Sequence, residues 1–247
     1  MTTLTVYDEH ADFYVGFIDG VRDTPAFQVS IDAIFEELGN VRDLNVCDLA
    51  CGEGFLSRLL AQRGARVHGY DASRELVETA RQRSGDAIQF EVGDAQHLPG
   101  VEDDRFDIVI CHMAIMDIPD IDALFRTVRR VLRSGGRFFL TVLHPCFETP
   151  FDDSTGGLVE QDENQNFVAC RVMRYTDEGL WHSGGTGVRG HMGAFHRMLS
   201  TYINSLTAAG HQITKLLEPM LPTNHYEDLN DQWAMKIPRR LTICTSV

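Results

Sequence analysis

Asp48, Asp71 and Asp94 each stand where an apolar run ends and a loop begins. A carboxylate held at such a place accepts hydrogen bonds from the hydroxyl or amino groups of a ligand. The first of them lies in Asn45-Val46-Cys47-Asp48-Leu49-Ala50-Cys51-Gly52-Glu53-Gly54-Phe55-Leu56. Val46, Leu49 and Ala50 suit a buried parallel strand, while Gly52 and Gly54 allow a sharp turn and close backbone approach to a ligand. Helical spacing resumes from Phe55 to Ala61, so strand, glycine loop and helix make the first half of a nucleotide-binding unit. A pyrophosphate on the helix N-terminus is one occupant of such a loop, but the Asp48 carboxylate would repel it, and the glycine spacing fits a dinucleotide fingerprint only in part. A ligand with an ammonium and no phosphate fits better. A tight turn without a ligand is the plain alternative for this stretch taken by itself.

Asp71 closes the run Arg66-Val67-His68-Gly69-Tyr70-Asp71, where an acid can accept both hydroxyls of a ribose, in NAD as well as in other nucleosides. Asp94, in Gly93-Asp94-Ala95 after Ile88–Val92, can accept from an adenine amino group while the Ala95 amide meets a ring nitrogen. Each alone suits a helix cap or a turn. Together, at the ends of consecutive strand–helix units and with Asp48-Leu49-Ala50-Cys51-Gly52-Glu53-Gly54 ahead of them, they resemble the class I S-adenosylmethionine-dependent methyltransferases. The resemblance implies S-adenosylmethionine as cofactor, held by Asp48, Ala50, Gly52, Gly54, Asp71, Ala72, Asp94, Ala95 and Cys111. Tyr7-Asp8-Glu9-His10-Ala11-Asp12-Phe13-Tyr14 is similar to a Tyr-Asp-x-x-Ala-x-x-Tyr segment that closes over the cofactor in many of these enzymes, which adds Tyr7 to the cofactor contacts. An amphipathic helix packing Phe13 and Phe17 on the core is the alternative reading of that segment. Leu132-Arg133-Ser134-Gly135-Gly136 resembles the turn before the family's fifth strand. After the fourth strand, His112 to Pro119 lacks the Asn/Asp-Pro-Pro-Tyr/Phe of enzymes that methylate adenine or glutamine amino groups, which argues against those substrates.

Methyl transfer from a sulfonium is an in-line displacement, so alignment of the nucleophile supplies the largest share, about 7–11 kcal/mol. A base is needed only for a protonated nucleophile, and histidine is suited to that near neutral pH. His144, in His144-Pro145-Cys146-Phe147 at the end of the fifth strand, is the first candidate; His112 and His182 follow, with Tyr14 as an orienting hydroxyl. Met113 and Met116 read as strand-end packing or as walls of the methyl-donor face. Arg58 reads as a solvent-facing helix residue or as a guide for a cofactor carboxylate or Tyr14.

The elements that must position these residues follow from periodicity and breakers. Helices are expected at about 25–38, 55–64, 74–83, from Ile121, and 199–210. Strands are expected at 66–71, 88–92, 106–111, 137–143, 211–217 and 240–245, the last one antiparallel. Between Glu148 and Gly193 the chain turns polar, with Asp152-Asp153 and Gly156-Gly157, and a small hairpin is expected around Thr176–Gly179. The fold class is α/β: a doubly wound, mostly parallel seven-stranded sheet with helices on both faces. One domain spans 1–247, with an N-terminal helical lid at about 1–40 and an inserted substrate lid at about 148–198.

At 247 residues and a net charge of −14, the chain suits one large domain whose surface repels polyphosphate, so nucleic acid is not an expected partner. The cluster Arg126-Arg129-Arg130-Arg133 has the spacing of a solvated helix face. The N-terminus lacks a signal-peptide pattern and no apolar run approaches spanning length, so a cytoplasmic protein without membrane contact is expected. Six scattered cysteines read as reduced thiols, and the histidines of the insert lack zinc-ligand spacing, so no metal is expected. The expected function is methyl transfer to a nitrogen or oxygen of a small-molecule metabolite of a specialised, natural-product type. The alternatives are a C-methyltransferase acting on an electron-rich ring, an NAD-dependent oxidoreductase and a non-catalytic cofactor-binding protein. A homodimer is left open.

Overall fold

The structure is a computed structural model that describes residues 5–150, 158–221, 232–233 and 235–247. Asp152-Asp153 and Gly156-Gly157 of the expected insert, and the first residues of the expected N-terminal lid, lie outside the described residues. In chain order the elements are α1 (Val6–Glu9), α2 (Ala11–Val21), α3 (Pro25–Leu38), β1 (Asn45–Leu49), α4 (Phe55–Gln62), β2 (Arg66–Asp71), α5 (Arg74–Ser84), β3 (Gln89–Val92) and β4 (Phe106–His112). They continue with α6 (Ile121–Val131), β5 (Leu132–Leu143), β6 (Val159–Gln161), β7 (Phe167–Cys170), β8 (Gly179–Trp181), α7 (Val188–His191), β9 (Ala194–His196), α8 (Leu199–Ala208), β10 (Gln212–Leu217) and β11 (Arg240–Ser246).

Alternation along the strands decides the layering, because successive side chains point to opposite faces. Cys47 and Leu49 of β1, Val109 and Cys111 of β4, and Phe138 and Leu140 of β5 enter one apolar layer with Leu124 and Val128 of α6 and Tyr202 and Leu206 of α8. Val46, Ile108, Ile110 and Phe139 enter the other, against Ile31 and Ile34 of α3, Leu56 and Leu60 of α4, and Val77 and Ala80 of α5. Both sheet faces are therefore covered. The sheet runs β10-β11-β5-β4-β1-β2-β3, and β11 pairs antiparallel with both of its neighbours. The strand order reverses between β1 and β4, which opens a crevice at the C-terminal ends of those strands. The parallel register sets Leu49 beside Tyr70 and Asp71 beside Val92, so the loops after β1, β2 and β3 emerge side by side.

Local signals place the helix ends. Thr24 caps α3 ahead of Pro25, and Gly39 stops it at φ 66°. Ser73 Oγ accepts from Leu76 N–H at the start of α5, and Gly85 ends it at φ 60°.

Three expectations are corrected. Phe13 and Phe17 are 37% and 40% exposed, so the N-terminal helix does not pack them on the core; Ile18 is the buried residue of α2. Gly135-Gly136 belongs to β5 rather than to a turn before it, because the Gly135 N–H donates to Val247 O (2.7 Å) and the Val247 N–H to Gly136 O (3.1 Å). The turn at Thr176–Gly179 does not join a hairpin: β7 pairs with β6, and β8 pairs with β9, where Trp181 sits opposite Ala194 and both enter the core. Among the described residues no helix is long and apolar enough to cross a membrane.

Candidate active site

The loop after β1 turns through three left-handed residues, Ala50 (φ 57°), Gly52 (φ 54°) and Gly54 (φ 82°). At Ala50 this conformation is strained and persists only because its surroundings hold it; the next residue, Cys51, donates its N–H to Tyr70 O (3.0 Å). Asp71 ties two loops together, accepting from the Gly52 N–H at 2.8 Å and from the Ser73 N–H at 2.9 Å. Below the loop, Glu53 is 2% exposed and receives Arg58 at 2.7 Å and Arg83 at 2.9 Å on the same oxygen. Arg83 also reaches Asp19 of α2 (2.8 Å). Arg58 thus braces the loop through the Glu53 carboxylate and carbonyl.

The N-terminal helices are fastened over this loop. Asp8 accepts from Ser73 Oγ (2.8 Å) and from the Thr5 N–H (2.7 Å), which docks α1 on the start of α5. The Tyr7 and Tyr14 rings meet edge to face with centroids 5.2 Å apart. The Tyr14 ring lies so close to Gly52 that a Cβ there would stand 3.4 Å from it.

These elements enclose a cavity of about 1130 Å³. Small-molecule sites commonly measure about 300–1,000 Å³, so this cavity stands above the upper end of that range. Tyr7, Tyr14, Ala50, Gly52, Asp71, Ala72, Asp94, Ala95 and His112 line it, as do Met113, Met116, Asp117, His182, Met192 and Phe195. Four of the expected site residues are not in the lining. Asp48 is buried beneath the loop and accepts from Ser57 Oγ at 2.5 Å. A Cβ on Gly54 would stand 2.9 Å from the Phe90 ring, so this glycine serves the packing of the loop floor. Cys111 is part of the core. His144 is 2% exposed, its Nε2 pairs with Glu218 (2.9 Å), and its Nδ1 accepts from the Cys146 N–H (3.2 Å).

Position and hydrogen bonding separate the two histidines that sequence ranked first. Burial, helped by Arg240, lowers His112 to about 3, so its ring is uncharged at neutral pH; Nε2 shares a hydrogen bond with Ser30 Oγ (3.0 Å). His144 is held at both ring nitrogens away from the cavity. Replacing it by alanine is expected to lower the thermal midpoint while leaving S-adenosylhomocysteine affinity within about twofold by calorimetry, since the substitution removes only packing and hydrogen bonds. A tenfold loss of affinity at an unchanged midpoint would return His144 to the site.

The carboxylates shift in the opposite direction. Burial raises Asp48 to about 7 and Asp71 to about 6. Asp94 holds the Gln96 side chain at 3.0 and 3.2 Å. Burial also raises the Tyr7 and Tyr14 hydroxyls, which stay protonated.

A family model described as a methyltransferase domain matches residues 40–179, more than half of the chain. The chain belongs to the class I S-adenosylmethionine-dependent methyltransferases. A solved S-adenosylmethionine-dependent methyltransferase of Mesorhizobium loti shares the fold, with a TM-score of 0.73 at 24% identity over 92% of this chain and 99% of that one. A ubiquinone biosynthesis O-methyltransferase of Aeromonas salmonicida is 29% identical over 47% of this chain and 50% of its own length. Methyltransferase GfsG of Streptomyces halstedii is 34% identical over 52% of this chain and 48% of its own length. This methyltransferase therefore spans about half the length of those two curated relatives.

Sequence reasoning missed two groups in the methyltransferase's site. One is Asp117, which pairs with Arg189 from α7 at 2.5 Å and hydrogen-bonds Tyr7. The other is the Glu53–Arg83–Asp19 bridge between loop and cap. Asp117 stands in the His112–Pro119 stretch, but its partner lies in α7, 72 positions away.

Proposed function

We propose that this methyltransferase transfers its methyl group to a nitrogen or oxygen of a small-molecule metabolite held beyond the cofactor, between the N-terminal tyrosines and the 179–196 segment. The observation that carries this is the cavity itself. Its β1–β3 side presents Asp71, Asp94 and the glycine loop, its β4 side presents Met113 and Asp117, and Tyr7, Tyr14 and Phe195 line it as well, with room for two molecules. In this reading the N-terminal helices and the 148–198 segment are lids on a single domain, and the protein is cytoplasmic. The net charge of −14 favours a small molecule over nucleic acid. The name of the ubiquinone biosynthesis O-methyltransferase supports an O-methyl acceptor.

The residues present suit S-adenosylmethionine. Asp71 keeps unused lone pairs for ribose hydroxyls after serving two backbone amides. Asp48 would favour the ammonium from beneath the loop, Asp71 the ribose, and Asp94 with the Ala95 amide the adenine. When bound, the cofactor supplies an electrophilic methyl on a sulfonium. Tyr14 presses on Gly52 and keeps water from that face, and aromatic rings there favour a cation by about 0.5–2 kcal/mol. His112, uncharged, can orient an acceptor without competing as a cation.

The raised acids predict a pH dependence. In the free fold the ionised forms of Asp48 and Asp71 are disfavoured. Their stabilisation is therefore complete below the ordinary value of 3.8 and is lost as pH rises through about 6 and about 7. A bound ammonium and ribose hydroxyls favour the ionised forms, so S-adenosylhomocysteine affinity rises from pH 5 to pH 8, with proton release below pH 7. Calorimetry in two buffers of different ionisation heat measures both; affinity falling over this range would contradict the assignment.

The acceptor is sought by incubating small-molecule extracts with protein and S-adenosylmethionine and reading masses. A product heavier by one methylene is expected. If none forms across extracts while the cofactor binds, the protein is a binding protein and not a catalyst.

A further inference from the structure

We propose that Asp117 holds the acceptor's uncharged N–H or O–H group and takes its proton as the methyl group moves. This rests on the reading of the cavity as a methyl-transfer site. Asp117 ends the short turn Ile115–Asp117 after β4 and lines the cavity, with 16% of its side chain accessible. The other lining carboxylates, Asp71, Glu91 and Asp94, belong to β2, β3 and the loop beyond, across β1 in the sheet order.

The geometry presents a carboxylate to the cavity and keeps the cation behind it. Arg189 Nη1 donates to Asp117 Oδ1 at 2.5 Å and to Gly193 O at 2.9 Å, and Arg189 is absent from the lining. Tyr7 donates to the same carboxylate. The pair has no net charge, which favours an uncharged amine or hydroxyl over an anion. Tyr7, Tyr14 and Phe195 give that donor an aromatic surround. Of the other candidate bases, His112 is bound to Ser30 and His144 faces away from the cavity, while His182 lines it from just beyond β8. In the step itself, a lone pair of the acceptor nitrogen or oxygen forms the bond to the methyl carbon. The carbon–sulfur bond breaks with its electron pair going to sulfur, and the acceptor's proton passes to the Asp117 carboxylate and then to solvent.

The test uses phenol, aniline, anisole and benzoate as probes on the full chain saturated with S-adenosylhomocysteine, with binding read by ligand-observed NMR titration. Phenol or aniline is expected to bind at least tenfold tighter than anisole and benzoate; tighter phenol marks an O–H acceptor and tighter aniline an N–H acceptor, and either supports the proposal. In Asp117→Ala the donor preference is lost, and Arg189, freed of its carboxylate, makes benzoate the better ligand. The isosteric Asp117→Asn shifts both in the same direction, with S-adenosylhomocysteine affinity within about threefold of the parent. Anisole binding as well as phenol in the parent, or phenol binding unchanged in both variants, overturns the proposal. If S-adenosylhomocysteine itself does not bind the parent chain, it is the reading of the cofactor site that fails.

Discussion

Replacing Asp71 by alanine is expected to weaken S-adenosylhomocysteine binding at least about thirtyfold, roughly 2 kcal/mol. Two losses combine. The ligand's ribose hydroxyls lose a charged acceptor, whose hydrogen bonds are stronger than neutral ones. The Gly52 and Ser73 amides lose the group that fixes the two loops against each other, at 2.8 and 2.9 Å. Asp71→Asn keeps an acceptor but loses the charge, so its expected loss is smaller, about tenfold. Because burial raises the Asp71 carboxyl to about 6, removing it spares the free fold the penalty of a buried charge at neutral pH. The alanine variant is therefore expected to melt close to the parent while binding poorly. Calorimetric titration beside thermal unfolding measures both, and affinity within threefold of the parent would remove Asp71 from the site.

Gly69→Ala is expected to destabilise the fold by about 2–3 kcal/mol in urea unfolding. A Cβ at Gly69, in the middle of β2, would stand 2.5 Å from Phe90 Cδ1 and 3.0 Å from Cys51 Sγ, distances that force a shift. Phe90 is 4% exposed and occupies the space left by both Gly69 and Gly54, so its ring is the floor of the cofactor loop. In a close-packed interior that ring cannot move away without disturbing Ala80 or the loop. A smaller side chain relieves the conflict: Phe90→Leu in the Gly69→Ala background is expected to recover part of the loss, although Phe90→Leu alone is destabilising. Independent, additive losses in the double variant would show that the two positions do not share this space.

Most of the fold was readable because its signals are local. The Pro25 start and Gly39 stop of α3, the Ser73 cap of α5, and the continuous apolar runs of β4 and β5 are written within a few residues of the elements they define. The β1–β3 side of the cavity was readable for the same reason, since Ala50, Gly52, Asp71, Asp94 and Ala95, which line it, sit at strand ends that periodicity locates. What failed was decided at long range. His144 also sits at a strand end, but Glu218 and the Cys146 amide turn its ring away from the cavity, and nothing within its own strand foretells that. The pairing of β8 with Ala194–His196 depends on burying Trp181, which outweighs the nearer turn at Thr176–Gly179. Asp117 acquires its partner from α7, and Glu53 acquires Arg83 from α5, so neither cluster exists as a spacing in the chain. Phe13 and Phe17 have helical spacing yet stay exposed on α2; the Phe13 ring meets His191 of α7, with centroids 4.6 Å apart.

In the proposed reading the loops after β1, β2 and β3 bind an adenosyl ligand carrying an ammonium and no phosphate. Titration calorimetry of the purified chain with S-adenosylhomocysteine and, separately, with NAD tests it most directly. The account predicts one S-adenosylhomocysteine site per chain, weakened strongly by Asp71→Ala, and no measurable heat with NAD. Saturable NAD binding with no response to S-adenosylhomocysteine would contradict it.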